Sequence, residues 1–184
     1  LAVLKTQVQS ARRGDVEPAQ ALAEISDTVE RATQVANQML ALARIEQLRQ
    51  QGDAGVLDWA AAARTVALEL APLIAERQLD FDIETVPAVI RAHDWALREL
   101  TRNLLHNAIK HTPPGGRLSV RLASAAGTAT LTIADSGPGI APELRQRLFQ
   151  PFSAGNLSSG SGLGLAICLE IARSLGGRIS VDDR

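Results

Sequence analysis

Residues 1–52 carry an apolar stripe at spacings of three and four, and the pattern breaks at Gln51-Gly52-Asp53-Ala54-Gly55. That change of period constrains the fold more than any other feature, because it divides a purely helical segment from a mixed one. Leu1, Leu4, Val8 and Ala11 lie along a first helix. Arg12-Arg13-Gly14-Asp15 reads as a turn, with Asp15 as an N-cap and Pro18 near the next helix start. The second helix sets Leu22, Ile25, Val29, Ala32, Ala36, Met39 and Ala43 on a heptad seam, widened by Val35, Leu42 and Leu48. A lone hairpin cannot bury so wide a stripe. Leu22, Ile25, Val29 and Met39 would each contribute about 1.5–3 kcal/mol if fully buried. A four-helix bundle of two copies would bury them, so a homodimer is expected. The other reading is a hairpin packed on the rest of its own chain.

The remainder, residues 53–184, mixes helix and strand. Asp58 is placed to cap a helix reaching Ala75, with Pro72 near its end. Leu79, Phe81 and Ile83 alternate with Asp80, Asp82 and Glu84, which predicts a half-buried strand. A short strand is expected over 88–92. Asp94 is expected to cap a helix over 95–110, stopped by Pro113-Pro114-Gly115-Gly116. Leu118, Val120 and Leu122 alternate along the next strand, and Gly127 separates it from another over 128–134. Pro142 starts a short helix to Leu148, and a last helix runs over 163–175 to Gly176-Gly177. Residues 179–181 read as the start of a strand that the sequence does not finish. This order predicts an α+β fold: a helical hairpin, then a two-layer α/β sandwich with helices on one face of a mostly antiparallel sheet.

Composition limits the function. The formal net charge is −1, so no nucleic-acid surface is expected. No apolar run reaches the roughly 18 residues of a membrane span, and no signal peptide is visible. The sequence does not begin with Met, which suggests a piece of a longer protein whose membrane anchor would lie elsewhere. Cys168 is the single cysteine, so no internal disulfide can form and a reducing compartment is expected. Among apolar neighbours, it reads as a buried, inert thiol.

At about 100° per residue, the helix before residue 111 puts Leu100, Leu104, Leu105, Ala108 and Ile109 on one face. Glu99, Asn103, Asn107 and Lys110 form a narrow stripe opposite. An amide oxygen can ligate Mg²⁺ without adding negative charge, which suits a cation already neutralised by phosphates. Lys110 could meet a phosphate as a point charge. Alone, the stripe also fits an ordinary surface helix. Asp135-Ser136-Gly137-Pro138-Gly139 continues directly from a strand. A carboxylate there can accept from an exocyclic amine such as adenine N6, and glycines let backbone approach a planar base. Any tight turn could share that pattern. Gly160-Ser161-Gly162-Leu163-Gly164-Leu165 feeds a helix start, where free N–H groups and the macrodipole favour phosphate. It lacks the Lys-Ser/Thr of a P-loop.

Taken together and in order, these segments resemble sensor histidine kinases. Residues 99–112 are similar to their N box, residues 135–139 to their G1 box, Phe149-Gln150-Pro151-Phe152 to their F box and residues 160–165 to their G2 box. The hairpin resembles the dimerisation and phosphoacceptor hairpin of the same family, including Met39-Leu40-Ala41-Leu42-Ala43-Arg44-Ile45-Glu46. The resemblance implies a domain division at residue 52, with 1–52 the hairpin and 53–184 the catalytic domain. It also implies binding of ATP with Mg²⁺ in a fold shared with gyrase-type ATPases. Asn107 would be the main Mg²⁺ ligand, assisted by Asn103. Lys110 would contact phosphate and His111 would pack by the ribose or base. Asp135 would read the adenine amine, with Gly137 and Gly139 shaping that wall. Gly162 and Gly164 would hold the phosphates, residues 153–159 would form a lid, and Ile140, Phe152, Gly160, Leu163 and Leu165 would complete the nucleotide-binding set. Glu99 would be the acid/base or the orienting carboxylate. The lid has no Lys or Arg, and Arg147 beside the F box could substitute.

In this family the phosphoryl group passes to a His on the first helix of the hairpin and then to an Asp of a response-regulator receiver domain. Residues 1–4 resemble the stretch just downstream of that His, so the acceptor is expected a short way upstream of residue 1. The resemblance further implies a cytoplasmic location, as part of a membrane-anchored bacterial protein. Two other readings share the fold: a degenerate, nucleotide-binding dimeric scaffold or regulator phosphatase, and a gyrase-like or anti-sigma ATPase. The N-terminal heptads and the F box disfavour the last.

Overall fold

The structure, a computed structural model, describes residues 2–13, 16–48, 54–145, 147–150 and 164–182. Helices α1 (Ala2–Arg13) and α2 (Pro18–Leu48) form the hairpin. Pro18 is the first residue of α2, where its missing N–H leaves no bond unmade. The expected cap, Asp15, lies outside the described residues. On this hairpin Leu22 is 67% exposed, Met39 57% and Val29 46%, so the chain's own elements do not cover that part of the stripe. The Leu42 and Leu48 side chains lie outside the description.

The second part contains β1 (Gly55–Asp58), α3 (Trp59–Glu76), β2 (Asp80–Thr85), β3 (Val89–Ala92), α4 (Asp94–His111), β4 (Arg117–Ala125), β5 (Thr128–Asp135), α5 (Pro142–Arg145) and α6 (Gly164–Ser174). β1 and β3 form an antiparallel pair. The larger sheet has the order β2-β4-β5, with β4 antiparallel to β5 and parallel to β2. The mixed α+β class is therefore as expected, but one of the described pairings is parallel. It arises because β3 and α4 intervene between β2 and β4, so β4 enters the sheet in the direction of β2.

One side of this sheet faces the helices. Leu118, Val120 and Leu122 are fully buried there, with Phe81, Ile83, Leu131 and Ile133 packed around them. The other side carries Asp80–Arg117 and Glu84–Arg121 ion pairs across the parallel register. α4 lies at the centre of the helical layer. Its Leu97, Leu105 and Ile109 are fully buried, α3 packs on one flank and α6 on the other. The buried Trp59 Nε1 donates to Thr101 Oγ1 at 3.0 Å, tying the start of α3 to α4 without leaving either polar group unmet.

Asp58 caps α3 as expected, its Oδ1 accepting from Ala60 N at 3.1 Å. The same oxygen accepts from Ala88 N at 2.9 Å and so also pins the approach to β3. Three expectations differ from the structure. His93, not Asp94, is the N-cap of α4, and Asp94 sits inside the first turn, where its carboxylate takes Arg98 Nε at 2.7 Å. The helix begun at Pro142 ends at Arg145, and hydrogen-bonded turns carry the chain to Gln150. Residues 179–181 form no strand and pair with none of the strands among the described residues.

Candidate functional site

α4 carries the polar stripe. Glu99, Asn103, Asn107 and Lys110 are all half-buried, while Leu100, Leu105, Ala108 and Ile109 face the core and Leu104 packs against it. The Asn103 side-chain nitrogen donates to Glu99 Oε1 at 2.8 Å and to the Glu99 carbonyl oxygen at 3.0 Å. Both bonds use the nitrogen, so the amide oxygen is the atom turned to other work. Glu99 Oε2 lies 3.8 Å from an Arg102 guanidinium nitrogen, and Arg102 in turn pairs with Glu69 of α3. The Glu99 carboxylate is thus held from two sides.

At the other end of the stripe, burial and the nearby Arg77 guanidinium lower the affinity of Lys110 for its proton. His106, one turn earlier, is likewise shifted down by burial first and then by Lys110 and Arg77, which favours the neutral ring. α4 ends at the fully buried Thr112, whose N–H and hydroxyl both donate to the Ala108 carbonyl.

β5 delivers Asp135 opposite Leu118 at the end of the β4–β5 ladder. Asp135 Oδ1 accepts from Gly137 N at 2.8 Å, folding the turn back on its own carboxylate. Gly137 is required by space: a Cβ there would stand 2.6 Å from Asp135 Oδ1 and 2.8 Å from the His111 carbonyl oxygen. Gly139 is required by conformation, with φ +74° in the left-handed region. The Gly137–His111 contact brings the Asp135 turn against the end of α4, so two segments read separately in the sequence meet in space.

The His111 side chain is exposed at this junction, and Ile140 is half-buried, its carbonyl accepting from Arg145 Nε at 2.9 Å. Arg147 is exposed in the turn after α5. Gly164 and Leu165 begin α6. Cys168, one turn on, is buried with Sγ 3.8 Å from the Leu100 carbonyl, which fixes α6 beside the Glu99 end of the stripe. Burial, and then the Glu99 charge, push the Cys168 thiol far up, so it stays protonated. Phe152, Gly160, Gly162, Leu163 and the 153–159 lid lie outside the described residues.

The donor set bears on which ligand would fit. No cluster of three or more His, Cys, Asp or Glu able to hold a metal exists among the described residues. Asn103 and Asn107 instead offer neutral oxygens, which suit a hard cation that brings its own anionic ligands and waters. Gly137 lets the Asp135 turn close onto the end of α4, and the left-handed Gly139 has open space beside it, which suits a flat group laid against backbone. These residues fit Mg²⁺ with a purine triphosphate.

Known proteins resemble the chain in sequence and in fold. Residues 93–184 match the family described as histidine kinase-, DNA gyrase B-, and HSP90-like ATPase. The sensor protein kinase PmrB of Pseudomonas aeruginosa is 33% identical over 181 residues, 93% of this chain and 37% of its own length. The histidine kinase AdeS of Acinetobacter baumannii superposes over the whole chain and 88% of its own, with TM-score 0.81 at 22% identity, which shows the shared fold. Full-length ShkA, solved in complex with AMPPNP, matches 86% of this chain and 34% of its own at 26% identity, with TM-score 0.70. The chain belongs to this ATPase family, on its sensor histidine kinase branch. It spans 28–37% of the length of the first curated relatives that it matches. Among the described residues no helix is long and apolar enough to cross a membrane.

Sequence reasoning missed Arg77, Arg102 and Ser136. Arg77 bonds the end of α4, Arg102 meets Glu99, and Ser136 Oγ accepts from Arg117 N at 2.8 Å. Only Arg102 left a signal, as an i, i+3 partner of Glu99.

Proposed function

We propose that this chain is the catalytic, ATP-binding part of a sensor histidine kinase and takes Mg²⁺-ATP between α4, the Asp135–Gly139 turn and the start of α6. The observation that carries the reading is the meeting of the amide stripe of α4 with the Asp135 turn, through the His111 carbonyl against Gly137. The Asp135 carboxylate selects adenine by accepting from its exocyclic amine, and a guanine carbonyl at that position would be repelled. Gly137 and Gly139 let the base lie on the turn. Asn107 is the principal ligand of the cation, and Asn103, oriented by Glu99, assists. Bound Mg²⁺ would neutralise phosphate charge and hold the triphosphate in one geometry. Lys110 adds a second positive charge, and the glycines of 160–164 with the α6 N-terminus offer N–H groups. His111, Ile140, Arg147, Phe152, Leu163 and Leu165 complete the contacts.

Phosphoryl transfer needs positioning and charge neutralisation more than covalent help from the protein. The acceptor is a His upstream of residue 1 in the whole protein, and the phosphoryl group then passes to an Asp of a response-regulator receiver domain docked on the hairpin. Two copies pair through the exposed Leu22, Val29 and Met39 stripe. The domain works in the cytoplasm, with any membrane anchor elsewhere in the protein. The test is incubation of the whole protein with ATP labelled in the γ-phosphoryl group. Acid-labile, base-stable label on the protein is expected. Bound ATP with no label would leave a nucleotide-binding scaffold.

A further inference from the structure

Arg77 is the C-cap residue of α3. One nitrogen of its guanidinium donates to the Lys110 carbonyl at 3.1 Å and to the Thr112 carbonyl at 3.3 Å. Its own carbonyl accepts from Gly115 N at 3.0 Å. These three contacts hold the last turn of α4 and the loop after it. The same loop also meets the Asp135 turn. Ser136 N donates to the Arg117 carbonyl at 2.9 Å, and Ser136 Oγ lies 2.8 Å from where a Gly116 Cβ would stand. The His111 carbonyl, between the two that Arg77 bonds, lies against Gly137. A guanidinium at helix-terminal carbonyls also meets the negative end of the α4 macrodipole.

We infer that Arg77 is a positioning residue of the nucleotide site, acting by clamping the Lys110–Thr112 turn so that the His111 carbonyl sets the gap to Gly137. The inference rests on the nucleotide-binding reading given above. Arg77 touches no ligand. It fixes where Lys110 ends, and how close the base-facing turn may come to α4. Loss of the clamp lets the turn withdraw, which weakens nucleotide binding and also relaxes the space limit at Gly137.

A double-substitution cycle tests this. AMPPNP with Mg²⁺ is titrated calorimetrically into the parent, Arg77→Met, Gly137→Ala and the double variant, with thermal melting to confirm folding. In the parent, Gly137→Ala should weaken binding about tenfold, and in the Arg77→Met background about threefold or less, since residues linked through one network couple. Arg77→Lys keeps a charged donor on a shorter side chain, so it should bind between parent and Arg77→Met; it replaces Met in the cycle if Arg77→Met does not fold. If the two substitutions multiply independently, Arg77 is merely structural and the inference falls while the nucleotide reading stands. A folded parent that binds no AMPPNP overturns both.

Discussion

Asn103 donates from its amide nitrogen to Glu99 Oε1 at 2.8 Å, one helical turn away. The bond orients the amide, and it gives the carboxylate a role that needs no proton transfer. Glu99→Gln retains an acceptor oxygen at this place and should keep Mg²⁺-dependent ATP affinity near the parent value. Glu99→Ala frees the amide and should cost about 2- to 12-fold, the worth of one hydrogen bond. Calorimetry with and without Mg²⁺ reads both. A Gln variant with parent affinity and phosphoryl transfer lowered more than about a hundredfold would instead mark Glu99 as the acid/base.

Cys168 is buried, and its thiol is held protonated by burial and the Glu99 charge. Iodoacetamide at mildly alkaline pH should leave the folded protein unlabelled and label it fully in denaturant. Cys168→Ser places a hydroxyl among apolar neighbours and should destabilise by about 1–3 kcal/mol. Fast labelling of the native protein would contradict the packing of α6 on α4.

Asp58 binds protons less readily than an ordinary carboxylate, because the Ala88 and Ala60 N–H groups both bond its charged form. A carboxylate whose folded pKa is depressed stabilises above its unfolded value, here 3.8. That contribution is lost as the pH falls below this value and through the folded one. Melting temperature followed from neutral pH down to about 3 should therefore fall less steeply in Asp58→Asn than in the parent. The variant should also melt lower at neutral pH, where the parent's carboxylate cap is intact. Parallel curves would remove the double cap.

Leu22, Val29 and Met39 remain exposed on the hairpin. Changing all three to Ser should turn a dimer into a monomer at micromolar concentration while the catalytic part keeps its melting transition. Light scattering reads the mass. An unchanged dimer would place the interface on another face.

The fold was legible where periodicity is local. The helix α2, the alternation at Phe81–Ile83 and Leu118–Leu122, and the Asp58 cap all appear where the residues suggest. β1 escaped because four residues starting with Gly55 show no alternation, and Asp58 ends the strand as well as capping α3. The strand expected at 179–181 has suitable side chains, but a strand also needs a partner, which no local pattern supplies. Asp94 looked like a cap because capping residues and first-turn acids share a composition; the Arg98 four residues on claimed its carboxylate. The site divides in the same way. The stripe from Glu99 to Lys110 is set by helical geometry alone. The clamp from Arg77 spans 33 residues to Lys110 and exists only after α3 and α4 have packed.

Asn107 is the proposed principal ligand of Mg²⁺-ATP on this stripe. Calorimetric titration of ATP into the parent and into Asn107→Ala, at fixed Mg²⁺, tests it most directly. One saturable site per chain is expected in the parent, preferring ATP to GTP, with no measurable Mg²⁺-dependent binding in Asn107→Ala and an unchanged melt of the free protein. Equal binding by the two proteins, or none by the folded parent, would contradict it.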